Sequence, residues 1–288
     1  MKFQAGYFRS RDGQDMFFRL WQPDRPAEGA ILLVHGLGEH GGRYEEFARR
    51  ACQDGYAVYA MDNRGHGRSA GKRGHVDCFD RFLDDLETFW LRFGPAGPGP
   101  TVLVGQSLGA LIALHFLARL PASFAGAVFC SGAFSLPENI PRLKLLLGKI
   151  LRRVAPAVTM RHGLPIDSLS PESSVVHDYL SDPLVHDRIS VQLFFEMSEA
   201  MTSARAVAER QRVPALFVQG SQDSLVPMAG ARQVYEAWGG KPKDFVVLEG
   251  EGHDLFHGSA LDKLAEILLP WMEKVGQSNR ATVGNMHG

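Results

Sequence analysis

Apolar residues along the chain fall into two alternating patterns. Short runs at 30–34, 56–60, 102–104, 125–130, 214–218 and 244–248 read as strands, and the continuous apolar run 30–34 is of the kind buried on both faces. Between them, apolar positions at helical spacing predict helices at 43–54, 79–93, 108–120, 229–238 and 259–274. Ahead of the first run, residues 5–21 read as a hairpin around the turn Arg11-Asp12-Gly13. Strand and helix repeating at this spacing predict an α/β fold, a mostly parallel, doubly wound sheet with helices on both faces. In such sheets the chemistry gathers beyond the carboxyl ends of the strands.

The alternation stops after Ser131. Residues 133–210 offer no convincing strand, and Pro137, Pro156, Pro165, Pro171 and Pro183 divide them into candidate helices. The expectation is a body made of 1–132 and 211–275, a helical cap of 133–210 inserted over the strand ends, and a surface tail at 276–288. Within the insertion, segment 140–154 combines an apolar set (Leu143, Leu147, Ile150, Leu151, Val154) with a basic one (Arg142, Lys149, Arg153). That pattern fits a helix lying on an anionic membrane surface, and equally a cap helix packed on the body with solvated cations.

The run at 102–104 leads into Gly105-Gln106-Ser107-Leu108-Gly109 and then an apolar helix ending at Pro121. A serine between strand and helix, with glycines two residues to either side, is a nucleophile elbow: the glycines permit a strained bend that lifts the serine oxygen clear. The same G-x-S-x-G pattern recurs at 67–71, but Ser69 sits in the polar run DNRGHGRSAGKRGH with no helix behind it, and reads as a loop serine. A serine needs a base, and the base needs a carboxylate to fix its tautomer. Asp223 follows the run at 214–218 and His253 follows the run at 244–248, so both stand at strand ends in the chain order Ser, Asp, His. His257, four residues on, is the rival histidine, expected at a helix start or on the surface. The oxyanion of an acyl-transfer intermediate needs donors, for which the N–H groups of Leu108 and of Leu37 in the turn His35-Gly36-Leu37-Gly38 are the candidates. His35 itself reads as a residue that locks this turn. The other histidines lack metal-ligand spacing, so no metal or cofactor is expected.

Composition narrows the setting. Lys plus Arg is 31 against 32 for Asp plus Glu, a net charge of −1 that gives no footprint for nucleic acid. Three cysteines without a C-x-x-C pair suit a reducing, cytoplasmic location. Residues 1–20 carry no apolar leader, and no apolar run reaches membrane-spanning length.

The stretches HGLGEHGGRY (35–44), DNRGHGRSAGKRGHV (62–76), GQSLGA (105–110), SDPLVHDRIS (181–190), GSQDSLVP (220–227) and EGEGH (249–253) resemble the monoacylglycerol lipase and lysophospholipase branch of the α/β-hydrolase family. The resemblance runs from about residue 5 to 275. It implies an α/β-hydrolase fold with an eight-stranded sheet, Ser107, Asp223 and His253 as a triad, and Leu37 and Leu108 as oxyanion donors. It also implies a cap that admits lipid, and so a monoacylglycerol or similar single-chain lipid ester as substrate, with peripheral membrane contact through 140–154 as an option. Three other readings compete. A general short-chain carboxylesterase would share the triad. An aminopeptidase of the proline iminopeptidase kind would need cap carboxylates facing the cleft, for which Glu172, Glu196 and Glu199 are available. A ligand-binding pseudoenzyme is the reading outside enzymology.

Overall fold

The hairpin at the start of the chain, β1 (Lys2–Arg9) and β2 (Asp15–Gln22), pairs antiparallel. It leads into β3 (Gly29–Val34), α1 (Glu45–Gln53), β4 (Tyr56–Met61), α2 (Asp80–Phe93), β5 (Thr101–Gln106), α3 (Leu108–Arg119) and β6 (Gly126–Cys130). Then come α4 (Arg142–Val154), β7 (Thr159–Arg161), α5 (Ser173–Ser181), β8 (Arg188–Ser190), α6 (Val191–Glu209), β9 (Ala215–Gly220), α7 (Met228–Ala237), β10 (Lys243–Leu248) and α8 (Gly258–Gly284). The computed structural model describes residues 1–95, 99–136 and 142–284, with side chains at 142–144 and 278–284 outside the description. Pro137, residues 140–141 of the expected amphipathic segment, the side chains of Arg142 and Leu143, and tail residues 285–288 therefore lie outside the described residues.

The main sheet has eight strands in the order β1-β2-β4-β3-β5-β6-β9-β10. From β4 to β10 every pairing is parallel, and β2 joins β4 antiparallel. This is the doubly wound α/β arrangement that the run lengths predict. Successive residues of β3 explain why the runs are continuously apolar: Ala30, Leu32 and Val34 pack with α2, α3 and α7, while Ile31 and Leu33 pack with α1 and α8. A strand covered on both faces has no polar side. The central helix α3 is buried on nearly every side, since α2 and α6 flank it while the sheet lies beneath.

Two sequence expectations change. Residues 133–210 do contain strands: β7 and β8 form a short antiparallel pair with Met160 opposite Ile189. Three residues each are too few to show a period, and their partners lie almost thirty residues apart. The last helix does not stop at 274 but runs to Gly284, through Pro270, so most of the expected tail is helical. The inserted elements also share the body's packing. Leu193, Met197, Ala200 and Ala204 of α6 belong to the same buried cluster as α3 and the sheet.

Helix α3 crosses β3 so closely that a Cβ on Gly109 would stand 2.0 Å from the Val34 carbonyl oxygen and 2.6 Å from that of His35. Gly109→Ala is expected to destabilise the fold by about 2–3 kcal/mol or more, an overpacking cost against backbone that cannot yield. Thermal unfolding of the variant beside the wild-type chain checks this; an unchanged midpoint would show that helix and strand can separate.

Candidate active site

Ser107 stands between β5 and α3 at φ 54° and ψ −119°, a left-handed conformation that side-chain-bearing residues rarely adopt. Its N–H donates to the Cys130 carbonyl at 3.0 Å, and its carbonyl accepts from the N–H groups of Ala110 at 3.0 Å and Ala133 at 3.1 Å. The bend is thereby tied to the end of β6 and to the chain just beyond it. Glycine at 105 is required because a Cβ there would meet the Gly109 carbonyl oxygen at 2.5 Å. Leu108 opens α3, so its N–H belongs to the first helical turn, where donors have no partner within the helix and the dipole favours negative charge.

The other two predicted residues meet across the ends of β9 and β10. His253 donates from Nδ1 to Oδ2 of Asp223 at 2.9 Å, which leaves Nε2 as the basic nitrogen. Asp223 is itself held: Oδ1 accepts from the N–H groups of Leu225 and Val226, and Oδ2 accepts weakly from Gln219 Nε2. Burial alone would lower the basicity of His253, but the charge and hydrogen bond of Asp223 outweigh it and raise its pKa above the ordinary 6.5.

Ser107, His253, Leu37 and Leu108 line one cavity of about 330 Å³, whose remaining walls are mostly apolar, including Leu136, Ile189, Phe194, Met197 and Met201. A second chamber of about 440 Å³ shares Ile189, Phe194, His162 and Gly163 with the first and extends to Leu145 and Gly148 of α4. A cavity of about 40 Å³ also touches Ser107, His253 and Leu37; Leu164, Ile166, Leu169 and Leu225 line it, and Glu39, Gln106, Tyr179 and Asp254 add polar residues. All three cavities are lined mainly by apolar residues, and the carboxylates Glu39 and Asp254 line only the smallest of them.

The turn bearing Leu37 is braced from several directions. His35 donates from Nδ1 to the Gly36 carbonyl and accepts the Asn63 N–H at Nε2, so it holds the turn to the 62–75 loop. Oε1 of Glu39 accepts the Gly36 N–H at 2.7 Å and the Tyr44 hydroxyl at 2.8 Å. From the insertion, the His186 N–H donates to the Gly38 carbonyl at 2.8 Å. The sequence reading missed Glu39 and Gln106; Glu39 stands three residues beyond Gly36, a spacing open to the reading that a carboxylate caps the turn.

The remaining candidates have other work. Ser69 is buried, accepts the Phe17 N–H and donates to the Asp62 carbonyl, so its hydroxyl is fully used in holding the loop. His257 directly precedes α8, as expected, yet is not loose on the surface: Nδ1 faces Asp254 and Nε2 faces the Arg43 carbonyl. Two acceptors require two protons, and Asp254 raises its pKa against the depressing effect of burial. Among the cap carboxylates, Glu196 accepts from the Phe79 N–H and Arg152, Glu199 from Arg152, and Glu172 from the Ser259 N–H. None of the three lines the cavities at Ser107.

Residues 25–259 match the family model described as "Serine aminopeptidase, S33". Monoglyceride lipase of Homo sapiens is 35% identical over 249 residues, covering 85% of this chain and 81% of that protein. This chain belongs to the α/β-hydrolase family, in its monoacylglycerol lipase branch. It is a serine hydrolase. Two further members bear out the placement of this α/β-hydrolase. Monoacylglycerol lipase of Mycolicibacterium smegmatis is 28% identical over 267 residues, covering 92% of this chain and 95% of that one. The crystal structure of Paleococcus ferrophilus monoacylglycerol lipase superposes with a TM-score of 0.82 at 31% identity, covering 90% of this chain and 99% of that one.

A base must be neutral to act, and Asp223 holds the His253 pKa up. The kcat/KM of this α/β-hydrolase should therefore fall as pH drops through a midpoint above 6.5. In Asp223→Asn the imidazole midpoint, followed by NMR, should move down because the charge that most strongly opposes burial is lost while the smaller effects of Asp254 and Glu39 remain, and kcat should fall by about 10⁴. An imidazole midpoint unmoved by the substitution would remove Asp223 from the orienting role.

Proposed function

We propose that this enzyme cleaves monoacylglycerols or similar single-chain lipid esters through an acyl-enzyme intermediate on Ser107. The observation that carries the reading is a pair of connected, mainly apolar chambers running from Ser107 toward α4, beside a much smaller cavity that alone is lined by carboxylates. An acyl chain fits the chambers and the alcohol of a monoester fits the smaller cavity. In the proposed reaction His253 Nε2 takes the Ser107 proton as Oγ attacks the ester carbonyl. The N–H groups of Leu37 and Leu108 receive the oxyanion, an effect typically worth about 3–4 kcal/mol for a single donor. His253, now an imidazolium steadied by Asp223, returns the proton to the departing alcohol. Water then repeats the attack on the acyl-serine and releases the fatty acid.

The family description raises an aminopeptidase as the second reading. Binding a substrate's ammonium group needs a carboxylate at the cleft, and Glu172, Glu196 and Glu199 are all engaged elsewhere. Glu39 and Asp254 do face the small cavity, but both pair with Arg43, which offsets their charge. A short-chain esterase would not need the second chamber, and a receptor would not need the braced Ser-His-Asp set.

Substrate delivery falls to α4. Leu146, Leu147, Ile150 and Val154 are each more than half exposed, with Lys149 and Arg153 exposed beside them. Arg152 instead turns inward to Glu196 and Glu199 and fastens the helix to α6. Of the two sequence-based options, we favour contact with a membrane surface, since this apolar face is turned away from the body. Among the described residues no helix is long and apolar enough to cross a membrane.

Hydrolysis of a monoacylglycerol series from butyryl to oleoyl, beside a dipeptide amide, tests the substrate class. Rates should rise with acyl length, the amide should stay intact, and Ser107→Ala should lose several orders of magnitude in kcat. Cleavage of the amide in preference to the esters would overturn the lipase reading. For the surface, Leu147→Glu with Ile150→Glu should weaken sedimentation with anionic vesicles about tenfold or more while leaving a soluble short-chain ester substrate unaffected; undiminished vesicle binding would discard α4 as the contact.

A further inference from the structure

Gly148 stands at the midpoint of the thirteen-residue helix α4, where a glycine weakens a helix relative to almost any other residue. It turns inward. Leu145 and Gly148, one turn apart, line the second chamber, and Arg152, a turn further on, pairs with Glu196 and Glu199 of α6. Leu146, Leu147 and Ile150 point the other way and are each more than half exposed. A Cβ at 148 would stand 3.2 and 3.3 Å from two atoms of the Phe195 ring, and Phe195 lines the same chamber. Any side chain at this position therefore enters the space between α4 and α6. That chamber, of about 440 Å³, is larger than the one of about 330 Å³ at Ser107, and Ile189 and Phe194 belong to both. It is the apolar continuation open to a chain that outgrows the first.

We propose that Gly148 sets the acyl-length limit of this enzyme, by leaving open the part of the second chamber that takes the far end of a long chain. The proposal rests on the monoester reading above and assigns its chain-length selectivity to one residue. Acyl carbons near the ester lie in the chamber at Ser107 whatever residue occupies position 148. Carbons further out pass Ile189 and Phe194 and are buried against Phe195 and the inner face of α4. Each methylene buried there raises kcat/KM about fourfold, so long chains gain and short ones do not. A side chain at 148 takes that space, and its cost falls only on chains long enough to reach it. Local sequence pattern does not reveal the role, because which face of α4 turns inward is decided by its packing on α6.

Gly148→Leu fills the space and replaces a poor helix former with a good one, so α4 is not weakened by propensity. Because the outer face of α4 is also the proposed membrane contact, hydrolysis of the monoacylglycerol series from butyryl to oleoyl is followed in detergent, without vesicles. In the wild-type enzyme kcat/KM should rise through the series. In the Leu variant the rise should stop at a medium chain, and the oleoyl-to-butyryl ratio of kcat/KM should fall about tenfold or more, the worth of two or more methylenes denied burial. Gly148→Ala adds a single carbon and should lower the ratio about threefold. A parallel fall at every length in the Leu variant would make Gly148 a residue of helix packing or substrate entry, and the proposal would be wrong. An unchanged or raised ratio overturns it as well, since acyl chains then do not reach the space beside α4. Should the Leu variant fail to fold, the Ala variant decides alone, and an unchanged ratio there contradicts the assignment. A wild-type enzyme that leaves the esters intact, or whose rates do not rise with acyl length, would instead remove the monoester reading beneath the proposal, and the proposal with it.

Discussion

The bend at Ser107 governs everything around it. A side-chain-bearing residue at φ 54° is strained, and the strain persists only because neighbouring structure leaves no alternative. The Ser107 N–H is used by β6, its carbonyl by α3 and by Ala133, and the glycines at 105 and 109 let α3 lie against β3 at backbone distance. Relaxing the serine would break these hydrogen bonds together. The same closeness puts the start of α3 beside the turn at 35–38, so two separate backbone segments converge on one point. The convergence of those two segments thus follows from how tightly a helix can approach a sheet, and the proposed oxyanion site would borrow its rigidity from the core.

The polar groups around this bend form one continuous brace. Glu39 holds the Gly36 turn and pairs with Arg43, Arg43 pairs with Asp254, and Asp254 holds His257, whose other nitrogen returns to the Arg43 carbonyl. In a buried setting each of these groups is costly alone and satisfied together. The inserted segment is part of the same brace: His186 bonds Gly38, and the His75 imidazole meets the Ser190 hydroxyl. The stretch 182–190 is therefore seated on the body, whereas α4 presents its apolar face outward. The insertion divides into a part that steadies the site and a part turned toward the surroundings.

Local pattern was enough to read the sheet, since strands buried on both faces must be apolar throughout and helices packed on them must be apolar at helical spacing. It was also enough for Ser107, Asp223 and His253 as candidates, because each follows a strand and the elbow glycines have no other economical explanation. Tertiary structure decided what local pattern leaves open. Three-residue strands such as β7 and β8 carry no period, and the partner that makes Thr159–Arg161 a strand lies near residue 189. Ser69 and Ser107 share a motif, and only burial against Asp62 and Phe17 tells the tethered hydroxyl from the one that lines the cavity. Gln106 and Glu39 acquire roles from what they meet across the fold, at a backbone carbonyl 147 residues away and at a turn. The sequence by itself determined the layers and the strand ends where chemistry could sit; the three-dimensional packing decided which polar atoms are paired there, because pairing depends on distances between segments that no local pattern encodes.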